Sequence, residues 1–84
     1  MSDTVISQMV LDDLILHDVR YCLGRLTWVP AECCARVRKF WGQMSPERRT
    51  IVARDVNEHI DRRARMGQPA RGCWVGLSAW MEAN

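Results

Sequence analysis

Four cysteines, Cys22, Cys33, Cys34 and Cys73, and two histidines, His17 and His59, are the side chains of this sequence best suited to nucleophilic or metal chemistry. A cysteine nucleophile reacts as its thiolate and needs a base beside it. Here every cysteine falls in an apolar stripe or at a helix edge, and His17, between Leu16 and Asp18, reads as a partly exposed surface residue. Zinc sites are marked by ligand spacing, yet the chain has no Cys-x-x-Cys pair and its histidines do not sit at zinc-finger spacing. Two disulfides are arithmetically possible. Neighbouring Cys33 and Cys34, however, point about 100° apart on a helix, which makes them awkward anchors. The cysteines therefore read as buried free thiols in a reducing compartment, where unpaired Cys behaves as a small hydrophobe. A phosphate-binding Gly-rich loop, a paired-His helix motif and a calcium loop are all missing from the sequence. No catalytic residue, metal ligand or cofactor is assigned, and an enzyme is not expected.

The charges say more about partners. A net charge of +2 hides an acidic beginning (Asp3, Asp12, Asp13 and Asp18 against Arg20) and a basic middle. That middle carries Arg25, Arg36, Arg38, Lys39, Arg48 and Arg49 against Glu32 and Glu47. Such a chain is no acidic mimic of DNA. Direct nucleic-acid binding is the weaker reading, because the pI of about 8.5 is modest and many arginines have carboxylates at helical spacing. No apolar run approaches the roughly 18–20 residues of a membrane span, and the acidic N-terminus is unlike a signal peptide. The chain is expected to stay in the cytosol of the cell that makes it.

The elements that must position these groups are helices. The 84 residues suit one domain, 1–84. Leu11, Ile15, Val19, Cys22 and Leu26 recur at helical spacing, which predicts a first helix from about Ser7 to Leu23. Gly24 is its expected left-handed stop, and Arg25–Val29 a short extended connector. A second helix opens at Pro30, with Cys33, Val37, Phe40, Trp41 and Met44 on its apolar face and Glu32, Arg36, Lys39 and Gln43 opposite. Ser45-Pro46-Glu47 is the strongest punctuation: a capping hydroxyl, a proline at the first helical position and an acid against the positive helix end. A third helix follows to about Met66, stopped by Gly67, with Val52, Val56 and Ile60 as its apolar line. Its Glu58–Arg62 and Asp61–Arg65 pairs are at favourable spacing. Gln68–Gly72 is a loop, and a short helix from about Cys73 to Met81 must be held by packing. The fold class is all-α: a compact bundle of three main helices plus a short C-terminal helix.

Within that bundle Trp41, Trp74 and Trp80 read as core. Asp18, next to apolar Ile15, Val19 and Cys22, should be paired with a cation, Arg54 or Arg25. The second helix, a turn and a third helix opening on Arg48, Arg49 and Thr50 outline a helix-turn-helix, which makes a small DNA-binding regulator the alternative function.

The stretch Leu16-His17-Asp18-Val19-Arg20-Tyr21-Cys22-Leu23-Gly24-Arg25-Leu26-Thr27-Trp28 resembles a motif of small phage and mobile-element proteins. In these an acidic–Val–Arg–Tyr–small–Leu–Gly–Arg core precedes a Thr–aromatic pair. The aromatic of helix two, the Met44-Ser45-Pro46 cap and Arg54-Asp55-Val56 continue the likeness over roughly two-thirds of the chain, stopping short of Gly67–Asn84. The resemblance implies a protein-binding inhibitor of a host protein or nucleoprotein defence complex, with anti-CRISPR activity as its form. For such an inhibitor the candidate partner-binding residues are Arg25, Trp28, Arg36 and Lys39, a cationic and aromatic set of the kind that dominates binding hot spots.

Overall fold

The structure, a computed structural model, describes residues 3–24 and 30–84. Four helices make it up, and no strand occurs among the described residues: α1 (Asp3–Leu23), α2 (Pro30–Phe40), α3 (Pro46–Arg65) and α4 (Gly72–Ala83). A single 3₁₀ turn, Trp41–Gln43, extends α2 toward α3. The all-α expectation is met. The Arg25–Val29 connector, and with it Arg25 and Trp28, lies outside the described residues.

Helix α1 begins at Asp3, one turn before the predicted Ser7. No proline or glycine interrupts the intervening residues, and an acid at the first position suits the positive end of a helix. Its end corrects a second expectation. The Gly24 N–H donates to the Arg20 carbonyl at 3.2 Å, but Gly24 is not left-handed; the left-handed glycine is Gly67, at φ +70°. There the Gly67 N–H donates to the Ala64 carbonyl (3.1 Å) and the Gln68 N–H to the Arg63 carbonyl (2.9 Å). This paired closure satisfies the Arg63 and Ala64 carbonyls at the end of α3.

The other end of α3 follows the sequence reading. Ser45 is extended (φ −66°, ψ 150°), its Oγ accepts the Arg48 N–H at 3.4 Å, and Pro46 takes the first helical position. What the sequence did not reveal is that Ser45 is itself held. The carboxylate of Asp12, buried on α1 at 5% exposure, accepts from the Ser45 N–H (3.2 Å) and from its hydroxyl (2.7 Å).

Packing runs in a ring: α1 lies on α2 and α3, and α4 closes the far side on the same two helices. Helices α2 and α3 therefore face each other diagonally across the core. Val19, Cys22, Cys33, Cys34, Val37, Met44, Val52, Val56 and Leu77 fill the interior. Trp41 and Trp74 are buried as expected, while Trp80 is half-buried and meets Trp41 edge-on, centroids 6.0 Å apart. Ile60, predicted to continue the apolar line of α3, is only half-buried. Asp61 pairs with Arg65 (3.6 Å), but Glu58 turns back to Arg54 (3.9 Å) rather than forward to Arg62. No helix among the described residues is long and apolar enough to cross a membrane.

Candidate functional site

Two surfaces and one buried cluster gather the groups that sequence reasoning singled out. The first surface is the polar side of α2. Arg36 is not free there. Its Nε donates to Asp18 Oδ2 at 2.8 Å and its Nη2 to Oδ1 at 3.1 Å, a bidentate pair between α2 and α1. Asp18 thus has the cation expected of it, but the partner is Arg36. Arg54 lies instead against Asp55 (3.8 Å) and Glu58. Lys39 is exposed, its ammonium 5.3 Å from the neighbouring Phe40 ring. Of the four candidate partner residues, the described part of the structure therefore contains Arg36, engaged by Asp18, and Lys39, turned outward.

The start of α3 bears on the helix-turn-helix outline. Arg48 reaches back to Asp13 (3.2 Å). Arg49 donates from Nε to the Trp41 carbonyl (2.7 Å) and from Nη2 to the Gly42 carbonyl (3.0 Å), its guanidinium 5.8 Å from the Trp41 ring centroid. The Thr50 hydroxyl donates to the Pro46 carbonyl (3.0 Å). A recognition helix aims its first residues at base edges and packs on the helix before it. Here those residues bind the protein's own backbone and α1, and α2 and α3 lie across the core from each other.

The second surface was not anticipated. On α1, Val10, Leu14, His17 and Tyr21 face outward, opposite the buried line of Ile15, Val19 and Cys22. At 100° per residue these four fall within an arc of about 60°. Val10 is 53% exposed, Leu14 61% and Tyr21 38%. Beside them the Asp13–Arg48 and Arg20–Asp55 ion pairs (3.2 and 2.9 Å) tie one flank of the stripe to α3. Helix α1 is thus apolar on two opposite faces, one in the core and one in water. The signal was in the sequence: Val10, Leu14 and Tyr21 repeat at four and seven residues but stand off the core stripe.

The buried cluster lies where α1 meets α2. Asp18 and Cys22, one turn apart on α1, converge with Cys33 from the first turn of α2, and one ligand atom from each lies within 4.8 Å of the others. The Cys22 thiol donates to Asp18 Oδ1 at 3.7 Å. On the Asp18 carboxyl, burial alone acts upward. The Arg36 hydrogen bonds and charge, with the thiols of Cys33 and Cys22, outweigh it and hold Asp18 below the ordinary carboxylate range. Burial, reinforced by the Asp18 charge, pushes the Cys33 thiol far up; burial with Cys73 nearby pushes Cys34 up to about 12. The four cysteines are unpaired with one another; Cys22, Cys33 and Cys34 are buried, while Cys73, expected to be buried with them, is half-buried.

His59, half-buried on α3, meets Trp74 edge-on at 6.1 Å. It borders an open cleft of about 240 Å³ shared with Arg20, Asp55, Glu58 and Arg62. A second hollow of about 690 Å³ lies between α3 and α4, where the Ser78 hydroxyl donates to Asn57. Neither brings a cysteine beside a histidine. Compared with models of known protein families, with curated proteins and with solved structures, the chain matches none.

Proposed function

We propose that this chain is a non-catalytic, protein-binding inhibitor that lays the outer face of α1 into an apolar groove of its partner. The observation that carries this reading is the row Val10, Leu14, His17 and Tyr21, apolar or aromatic at helical spacing and turned to water. Anchors recurring at i, i+4, i+7 and i+11 are how a helix is read by a hydrophobic groove. The ion pairs on its flank supply the polar rim that surrounds such a contact. The non-catalytic part of the proposal is supported by Cys33 and Cys34, whose thiols burial pushes up and so leaves poorly nucleophilic. In this reading Arg36 is a scaffold residue, fixing α2 to α1 through Asp18, Lys39 is an exposed cation of the last turn of α2, and Arg25 and Trp28, outside the described residues, are candidate contacts by their chemistry alone.

The partner we propose is a protein or nucleoprotein component of a host defence complex, an anti-CRISPR type of action. The resemblance of Leu16–Trp28 to small phage and mobile-element proteins is its support. The test is phage plating on a bacterial strain with an active CRISPR system, with and without the chain expressed. Wild type should raise plating efficiency. Val10→Glu with Leu14→Glu should abolish the effect while changing stability by less than about 0.5 kcal/mol, as exposed substitutions do. Plating unaffected by wild type, together with duplex DNA binding that weakens steeply with salt, would replace this reading by the helix-turn-helix regulator.

A further inference from the structure

The Asp18–Cys22–Cys33 cluster has the composition and dimensions of a metal site. The i,i+4 spacing of Asp18 and Cys22 stacks a carboxylate and a thiol on one face of α1. The first turn of α2 brings Cys33 over them, with one donor atom of each residue inside 4.8 Å of the other two. A tetrahedral ion with metal–sulfur bonds of about 2.3 Å and metal–oxygen bonds of about 2.0 Å has S···S edges of about 3.8 Å and S···O edges of about 3.5 Å. The Cys22 Sγ to Asp18 Oδ1 separation, 3.7 Å, already matches such an edge. The remaining pairs need to close by no more than about 1.3 Å.

We propose that Asp18, Cys22 and Cys33 bind a single thiophilic divalent cation of the zinc class. Two sulfurs and one oxygen select zinc over magnesium or calcium, which take oxygen alone. On binding, each thiol gives its proton to solvent and a metal–sulfur bond replaces each S–H bond. The carboxylate is already ionised, and its oxidation state, like those of the sulfurs and the metal, does not change. Two thiolates, one carboxylate, a dication and the Arg36 guanidinium then sum to zero net charge, so the buried thiolates of Cys22 and Cys33 are compensated by the ion and by the partly exposed Asp18–Arg36 pair. Arg36 uses one lone pair on each Asp18 oxygen, at 2.8 and 3.1 Å, and a carboxylate offers about four. It therefore orients the carboxylate without blocking it, as partners of metal ligands do. Three protein ligands leave the fourth position for water. This site stands independently of the inhibitor reading.

Cobalt titration of the reduced, metal-free full chain tests it. Expected are a near-ultraviolet thiolate-to-cobalt charge-transfer band, visible absorption of a tetrahedral ion, saturation at one equivalent, and displacement by zinc. Cys22→Ser and Cys33→Ser should each remove the band, while Cys73→Ser keeps it. Because Cys33 is buried and its variant can unfold, the wild-type chain gives a second readout. Zinc-edge X-ray absorption of the wild-type chain loaded with one equivalent of zinc should show two sulfur scatterers at about 2.3 Å. No charge-transfer band with excess cobalt, a band that survives in both serine variants, or a zinc shell without sulfur would each overturn the proposal.

Discussion

Asp12 and Ser45 are joined twice, the buried carboxylate of α1 accepting both the backbone N–H and the hydroxyl of the residue that caps α3. The cap that the sequence advertises as local is thus a tertiary contact. The Ser45 hydroxyl donates to Asp12 and accepts from the Arg48 N–H, so one side chain fixes the start of α3 and its docking on α1 together.

Removing either partner should therefore be expensive and non-additive. Asp12→Ala removes a charge-assisted pair and is expected to destabilise by roughly 1.5–3 kcal/mol. Ser45→Ala loses the cap, about 1 kcal/mol, and leaves a buried carboxylate short of donors, so it should match or exceed that. In urea unfolding the double variant should fall well short of the sum of the two singles. A strictly additive cycle would mean that the two contacts act separately.

The two glycines at helix ends should behave oppositely to alanine. Gly67 is left-handed at φ +70°, a conformation that disfavours a Cβ by roughly 1–2 kcal/mol. At Gly24 an added Cβ would meet, among the described residues, the Arg20 and Tyr21 carbonyl oxygens of its own helix at 3.6 and 3.8 Å, ordinary contacts. Gly24→Ala should therefore be neutral or raise stability by about 0.4–1 kcal/mol through the unfolded chain. Thermal unfolding of the two variants beside wild type checks both signs.

Much of the helical frame was legible because its signals are local. Periodicity placed the elements, and the Ser45-Pro46-Glu47 and Gly67 boundaries follow from capping chemistry read over a few residues. What was not legible depends on how helices rotate and pair. Asp18 visibly needed a cation, and the sequence pointed to Arg54 or Arg25; that Arg36 supplies it is decided by α2 packing beside that turn of α1. The assembly of Cys33 with Asp18 and Cys22 is hidden for the same reason, since only the α1–α2 crossing brings residues so far apart in sequence within 4.8 Å. The outer stripe of α1 is hidden in the sequence because Val10, Leu14 and Tyr21 each stand next to a residue of the core line, Leu11, Ile15 and Cys22, so the two faces read as one apolar run.

The Asp18–Arg36 pair should show in acid. Arg36 holds Asp18 below its unfolded pKa of about 3.9, so the pair's contribution is fully present above that pH. It is lost as pH falls below about 3.9 toward the folded value, because the unfolded chain then binds the proton more readily. Asp18→Asn should lower stability at neutral pH by roughly 1–2 kcal/mol, given the partial exposure of both groups, and flatten the acid limb. Urea midpoints between pH 7 and about 3, for wild type and variant, measure it. An unchanged acid limb in the variant would assign that loss to other carboxylates.

His59 should act in the same direction at a higher pH. Burial against Trp74 disfavours its imidazolium, and Arg63 and Arg62 on the same helix add like-charge repulsion, so its folded pKa lies below the ordinary value of about 6.5. Asp55 and Glu58 in the adjoining cleft do not reverse this, Asp55 being taken by Arg20 and Glu58 facing Arg54. A depressed pKa means that the unfolded chain takes up the proton first. Stability should be whole above about pH 6.5 and fall as pH drops through the folded value. In an NMR titration the His59 ring resonances should have their midpoint below about 6.5. Replacing Arg62 and Arg63 by Gln should move it part of the way back, leaving the share due to burial. His59→Phe should remove this step from the stability profile and leave the Asp18 step in place. A midpoint at or above about 6.5 in the folded protein would show that solvent reaches the ring more freely than its contact with Trp74 implies.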